Sequence, residues 1–148
     1  MPSTVVALLE EVDCRELDAL LAERIYEFNS KATGYADGRL LAGSIRNDAD
    51  EVVAGFSGHT WGGCCVIANI WVHERHRGRG LGKALIQAAE AEAWRRGCTQ
   101  VVLLTHSFQA PQFYEHHGYE RKYAIDGYPK GHADIVYVKL LHIVDAAT

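Results

Sequence analysis

The stretch Arg77-Gly78-Arg79-Gly80-Leu81-Gly82-Lys83 combines the residue types that hold a multiply charged anion. Glycines let the backbone come close to a phosphate, and the free N–H groups and positive dipole end of a following helix attract it. Arg77, Arg79 and Lys83 add formal charge to the same turn. Cations at the start of a helix oppose its macrodipole, at roughly a few tenths of a kcal/mol each. A bound pyrophosphate removes that conflict, so the three cations argue for a ligand rather than for a solvated turn. Such a turn needs a strand to deliver the chain to it and a helix to leave from it. The run Val66-Ile67-Ala68-Asn69-Ile70-Trp71-Val72 is β-branched and apolar, and beyond the turn apolar or small side chains recur at Leu81, Leu85, Ala88 and Ala89 with helical spacing.

Two familiar phosphate motifs do not fit the turn. A nucleotide P-loop requires glycine where Arg77 stands and Ser or Thr where Ala84 stands. The dinucleotide fingerprint requires its third glycine at the position of Lys83. Composition narrows the classes further. At 148 residues and 48% apolar, the chain reads as one domain over 1–148 that can bury a core. A net charge of -4 argues against nucleic acid or an anionic membrane as the main partner, since both select a basic face. No run of about 18 apolar residues occurs, and Met1-Pro2-Ser3-Thr4 lacks the charged-then-apolar order of a secretory leader, so the expected location is cytoplasmic. Cys14, Cys64, Cys65 and Cys98 form no CxxC pair and are expected as reduced thiols. The neighbours His116 and His117 point apart on a helix, and no HExxH or Cys/His ligand set appears, so no metal is expected.

Leu17, Leu20, Leu21, Ile25 and Phe28 share a helical face, with Asp13 as the expected N-cap and Glu16 three residues on, giving a helix over 13–31. Strands are expected at 40–46, 52–59 and 63–73, with Asn47-Asp48-Ala49-Asp50 as a hairpin turn. A helix over 80–96 stops at Gly97, and Val101-Val102-Leu103-Leu104 reads as a buried strand. Ala110 to Gly118 is a short helix with Pro111 in its first turn, followed by strands at 119–125 and 134–142 around a turn-rich loop. The order strand, helix, three strands, helix, strand, helix, two strands implies an α/β (α+β) fold with a mixed sheet and helices on both faces.

Arg77, Gly80 and Gly82 fill the Gln/Arg-x-x-Gly-x-Gly/Ala signature of acyl-CoA binding, and the turn resembles that of the GCN5-related N-acetyltransferase (GNAT) superfamily. Ala110-Pro111-x-Phe113-Tyr114-x-x-x-Gly118-Tyr119 is similar to the superfamily's second cofactor motif, at the superfamily's spacing from the first. The strand ending Ile70-Trp71-Val72-His73-Glu74 resembles the one that splays from its neighbour and pairs its backbone with pantetheine. The resemblance covers most of the chain. It implies a mostly antiparallel sheet of about seven strands flanked by about four helices. It also implies acetyl-CoA as co-substrate, a homodimer as a candidate assembly, and a small-molecule or peptide amine as acceptor. By the same resemblance Trp71, Val72, Arg77, Gly78, Arg79, Gly80, Gly82, Lys83, Ser107, Phe113 and Tyr114 bind the co-substrate. Tyr26, Asn29, Asn69, Asp126 and His132 then fall where relatives build the acceptor pocket.

The reaction implied is direct acyl transfer. An amine attacks a thioester, an oxyanion forms, and a thiolate leaves. A backbone N–H near Trp71 or Val72 stabilises the oxyanion by resemblance. Tyr114 sits where the superfamily carries the proton donor for the thiolate, whose free pKa is about 8.5. The base is open. Positions that hold a carboxylate in many relatives read Ala68 and Asn69, neither ionisable, which leaves His59, Asp126, His132 or a water chain. None of the cysteines has the paired His and carboxylate of a covalent route. The other reading of the same motifs is a non-catalytic acyl-CoA-binding sensor or partner module that has lost its base.

Overall fold

The computed structural model describes residues 4–142, in two compact units that divide between Ala36 and Asp37. The first unit contains helix α1 (Glu11–Thr33), ended by Gly34 in the left-handed conformation, whose N–H donates to the Ser30 carbonyl. The N-cap is Glu10, without a side-chain cap bond, and not the expected Asp13. Asp13 instead lies inside the first turn, where its negative charge complements the positive end of the helix. The strand expected ahead of this helix is not formed. A strand exists by pairing, and residues 4–10 enter no ladder among the described residues.

The second unit is a six-stranded sheet in the order β1-β2-β3-β4-β6-β5. Its strands are β1 (Arg39–Arg46), β2 (Val52–Trp61), β3 (Cys64–Val72), β4 (Gln100–His106), β5 (Glu120–Asp126) and β6 (Ala133–Leu140). Every neighbouring pair is antiparallel except β3 with β4. Parallel neighbours need a crossover connection, here made by helix α2 (Leu81–Arg95). Helix α3 (Pro111–His116) follows β4, and a single 3-10 turn, Glu74–His76, precedes the glycine turn. The described residues therefore hold six strands and three α-helices, one fewer of each than the resemblance implied, in an otherwise matching mixed fold. The β1–β2 turn lies where Asn47 was expected to make it. The Asn47 Oδ1 accepts the N–H groups of Ala49 and Glu51 at 3.0 and 2.9 Å, while Asp50 takes φ 62°.

The core lies between α2 and the sheet. Leu85, Ile86, Ala89 and Ala93 repeat on one side of α2 and are buried with Ala54, Phe56, Cys65, Ile67, Val101, Leu103 and Tyr137. Burying a side chain such as Ile86, at 1% exposure, contributes roughly 2–3 kcal/mol. That packing anchors the start of α2, and so the turn before it.

The sheet opens where the site must be. The β3–β4 ladder pairs Cys64 with Gln100 through Ile67 with Leu103 and stops there. On the other edge of β3, Ser57 faces Asn69 and Gly58 faces Ile67, so Ala68 is the extra residue of a β-bulge. The bulge and the end of the parallel ladder thus coincide at Ile67–Ala68. Gly58 allows the close approach. A Cβ there would lie 1.9 Å from the Val66 carbonyl oxygen.

Candidate active site

Between the diverging ends of β3 and β4 lies a cleft of about 1070 Å³. One wall is the free length of β3, from Ala68 to Val72, and the other is Leu104 and Thr105 with the loop to Ala110. Its far end is closed by the glycine turn and the first residues of α2, and its floor includes Phe113 and Tyr114 from α3.

The glycine turn is shaped as an anion cradle. Gly78 and Gly80 take φ 74° and 79°, which L side chains rarely adopt, and nothing lies within 4 Å of the position a Cβ would occupy. The first bond of α2 runs from the Ala84 N–H to the Gly80 carbonyl, at 3.1 Å. The N–H groups of Leu81, Gly82 and Lys83 thus precede any intrahelical acceptor, and no side chain caps them. No acidic residue sits in this first turn. Gly82 packs against the Phe113 ring, 3.2 Å from where a Cβ would be, which ties the second motif to the first.

The structure brings Trp71, Val72, Gly78, Gly80, Gly82 and Lys83 together around this cleft, with Asn69, Arg77, Phe113 and Tyr114. Arg77 has a part in the architecture too. Its Nε donates to the Val72 carbonyl at 3.1 Å and fastens the turn to the end of β3. Asn69 donates from Nδ2 to the Ser57 hydroxyl at 3.2 Å, across the bulge. Arg79, in the same turn, is exposed and not part of the cleft lining. Ser107 also lies outside the lining, where its Oγ accepts the Ala133 N–H at 3.0 Å and holds β6 to the end of β4. Asp126 is exposed at the end of β5, and His132 is exposed in the β5–β6 turn with its ring 4.9 Å from Phe108. His59 pairs with Leu40 and Val66, in the part of the sheet that stays closed. Tyr26 and Asn29 lie on α1, in the first unit.

Tyr114 is 6% exposed, and burial pushes its hydroxyl up to about 12. Among the described residues, Ser30 Oγ is the one fully buried side-chain polar atom without a partner. The Tyr114 hydroxyl also lacks a partner among the described residues but is not sealed in, so it keeps contact with the cleft its residue lines. Two other buried tyrosines differ in this respect. The Tyr119 hydroxyl donates to Glu90 at 3.2 Å and that of Tyr137 to Glu115 at 2.9 Å. Tyr114 alone of the three has an uncommitted proton.

Several cleft residues were not among the expected site residues. His76 and His117 line it, as do Thr105 and Gln109. The Gln109 Oε1 accepts both the Thr105 hydroxyl, at 3.1 Å, and the His106 N–H, at 2.7 Å, and so shapes the bend after β4. The four cysteines are free thiols, with Cys65 and Cys98 buried, and burial raises Cys65 to about 12, the opposite of what a thiolate nucleophile needs. Among the described residues no group of three or more His, Cys, Asp or Glu could hold a metal ion, and no helix is long and apolar enough to cross a membrane.

Comparison with known proteins agrees with this geometry. Residues 25–121 match the family described as the acetyltransferase (GNAT) domain. The chain is 32% identical to acetyltransferase Atu2258 of Agrobacterium fabrum over 77% of its own length and 83% of that protein. It is 38% identical to the blasticidin-S acetyltransferase of Streptomyces morookaense over 62% of its length and 68% of that protein. Its fold is shared with the crystal structure of an acetyltransferase from Bacillus cereus, at a TM-score of 0.77 and 23% identity, over 93% of this chain and 98% of that one.

Proposed function

Because the chain belongs to the acetyltransferase (GNAT) domain family, we propose that its β3–β4 cleft takes acetyl-CoA and passes the acetyl group directly to a primary amine of a small molecule or peptide. The observation that carries this reading is the coincidence of an open glycine turn, bearing unpaired N–H groups, with a strand whose edge toward β4 is unpaired beyond Ile67. The first suits a pyrophosphate, and the second leaves peptide groups of β3 unpaired for an extended amide-bearing arm such as pantetheine. As co-substrate, acetyl-CoA supplies an activated acyl group on a thiol leaving group.

In this reading Lys83, Arg77 and the N–H groups at the start of α2 hold the pyrophosphate, with Arg79 adding charge from the same turn. Ser107 shapes the loop beside the cleft through its bond to β6. A backbone N–H of β3 near Trp71 or Val72 stabilises the oxyanion. The C–N bond forms, the C–S bond breaks, and Tyr114 gives its hydroxyl proton to the departing sulfur. The tyrosinate regains a proton from the new amide nitrogen. With its ordinary ionisation pushed up to about 12, Tyr114 stays a proton donor through the neutral range. The relative named blasticidin-S acetyltransferase supports a small-molecule acceptor for this chain as well.

Free-thiol release from acetyl-CoA, with an amine panel that includes blasticidin S, tests the proposal. Turnover on any member supports it, and tight acetyl-CoA binding with no release across the panel favours a sensor module instead. The double replacement Arg77→Ala/Lys83→Ala is expected to weaken acetyl-CoA binding by about tenfold or more and to flatten its salt dependence, as read by titration calorimetry.

A further inference from the structure

We propose that His106 is the base that takes the proton from the acceptor's ammonium group, oriented for that role by the Tyr128 carbonyl beside the Asp134 carboxylate; this rests on the acetyl-transfer reading above. His106 ends β4, opposite Asp134 of β6 in the ladder. Its Nδ1 lies 3.2 Å from the Tyr128 carbonyl oxygen and 3.6 Å from Asp134 Oδ1. A carbonyl and a carboxylate only accept, so Nδ1 must carry the hydrogen. In the neutral ring the lone pair is then on Nε2, which has no protein partner among the described residues. A ring that donates from one nitrogen to a carbonyl, with a carboxylate near that nitrogen, and is free on the other is the arrangement of a general base.

Its position suits the acceptor side of the reaction. Side chains two apart on a strand share a face, so His106 lies on the face of β4 from which Leu104, 49% exposed, lines the cleft. Phe108, another lining residue, stacks on the His106 ring at 5.3 Å and 2° between planes, and Tyr128 stacks on it at 5.4 Å and 20°. Both aromatic rings are 56% exposed. A cation approaching here meets aromatic faces and one buried carboxylate, all of which attract it. The titratable groups around His106 are Asp134 on β6 and, in the β5–β6 turn, Tyr128 with His132, which abuts Phe108. His106 is not itself in the cleft lining but stacks on Phe108, which is; the two histidines that line the cleft are less suited. His76 immediately precedes Arg77, and His117 packs on Phe113 at 4.5 Å, the ring that lies against Gly82 of the glycine turn. That end of the cleft carries the cations, which repel an ammonium.

The protons balance. His106 Nε2 takes one proton from the ammonium, the freed amine attacks the acetyl carbon, and the second nitrogen proton passes to the tyrosinate left when Tyr114 protonates the thiolate. His106 then returns its proton to solvent.

The test pairs kinetics with NMR on the full-length protein. Nitrogen-15 spectra should show His106 with its hydrogen on Nδ1 in wild type. His106→Gln should lower kcat by about a hundredfold and abolish the acid limb of the wild-type kcat–pH profile, with acetyl-CoA affinity retained. Added imidazole should restore part of kcat in His106→Ala. A wild-type hydrogen on Nε2, or a His106→Gln enzyme with kcat within about threefold of wild type and the acid limb intact, overturns the assignment and leaves the transferase reading standing. A wild type that binds acetyl-CoA but transfers to no amine overturns both.

Discussion

Tyr114→Phe is expected to lower kcat at least tenfold, and up to about a hundredfold, while leaving acetyl-CoA affinity unchanged. The replacement removes one oxygen from a ring that is otherwise retained by Phe113, Tyr119 and Tyr137, whose centroids lie 5.2 to 6.0 Å away. The hydroxyl has no partner among the described residues, so its loss strands no other buried group there, and folding stability should barely change. The split is informative. A core tyrosine with no chemical role would leave kcat alone, and a binding residue would raise the dissociation constant. The ordinary tyrosine ionisation is pushed up to about 12 by burial, so an alkaline fall in wild-type kcat from this group should come well above the neutral range. Steady-state kinetics across pH, with calorimetric titration of the same preparations, checks both statements.

Gly58→Ala should produce the largest loss of stability. The added Cβ would lie 1.9 Å from the Val66 carbonyl oxygen and 3.0 Å from the Ile67 Cα, both backbone atoms that no rotamer change can move. Relief requires β2 and β3 to separate at the bulge. The expected cost is at least about 3 kcal/mol, or a fall of about 10 °C in Tm. The same movement would displace Ala68 and the free length of β3, so any folded fraction should bind acetyl-CoA poorly. Urea unfolding measures the first effect. A neutral Gly58→Ala would mean that the register Ser57–Asn69, Gly58–Ile67 is wrong.

Gly58 also illustrates what could be read from the chain and what could not. In the sequence it is one of 14 glycines, with nothing to mark it. Its role depends on which residue of β3 lies beside it, and register is a property of two strands. The glycine turn was legible because all its parts are contiguous, and the structure places Gly78, Gly80 and Gly82 as that local pattern requires. Helix α3 was legible for the same reason, from Pro111 at its start and Gly118 just past its end. By contrast, Asp13 looked like an N-cap because it precedes an apolar repeat with Glu16 in place, yet the helix begins at Glu11. Residues 4–10 offered β-branched and apolar side chains without a partner to pair with. The pair His106 and Asp134 was hidden for a third reason. Residues 28 apart meet only through the β4–β6 ladder, and neither belongs to a local motif. Ser107 shows the converse, since the resemblance assigns it to the co-substrate, yet its hydroxyl holds the β6 backbone.

The division of labour in the cleft follows from these placements. Cations and unpaired N–H groups gather at the α2 end, with the unbonded hydroxyl of Tyr114 on the floor. Aromatic faces and the Asp134 carboxylate sit beyond the end of β4. Positive charge thus gathers in the cleft lining, and negative charge on β6 outside it.

The most direct measurement is calorimetric titration of the full-length protein with acetyl-CoA, repeated with the Arg77→Ala/Lys83→Ala variant. The account predicts saturable binding of one molecule per chain, weakened at least about tenfold in the variant. Absence of binding by wild type, or equal binding by both proteins, would contradict it and leave the glycine turn as architecture alone.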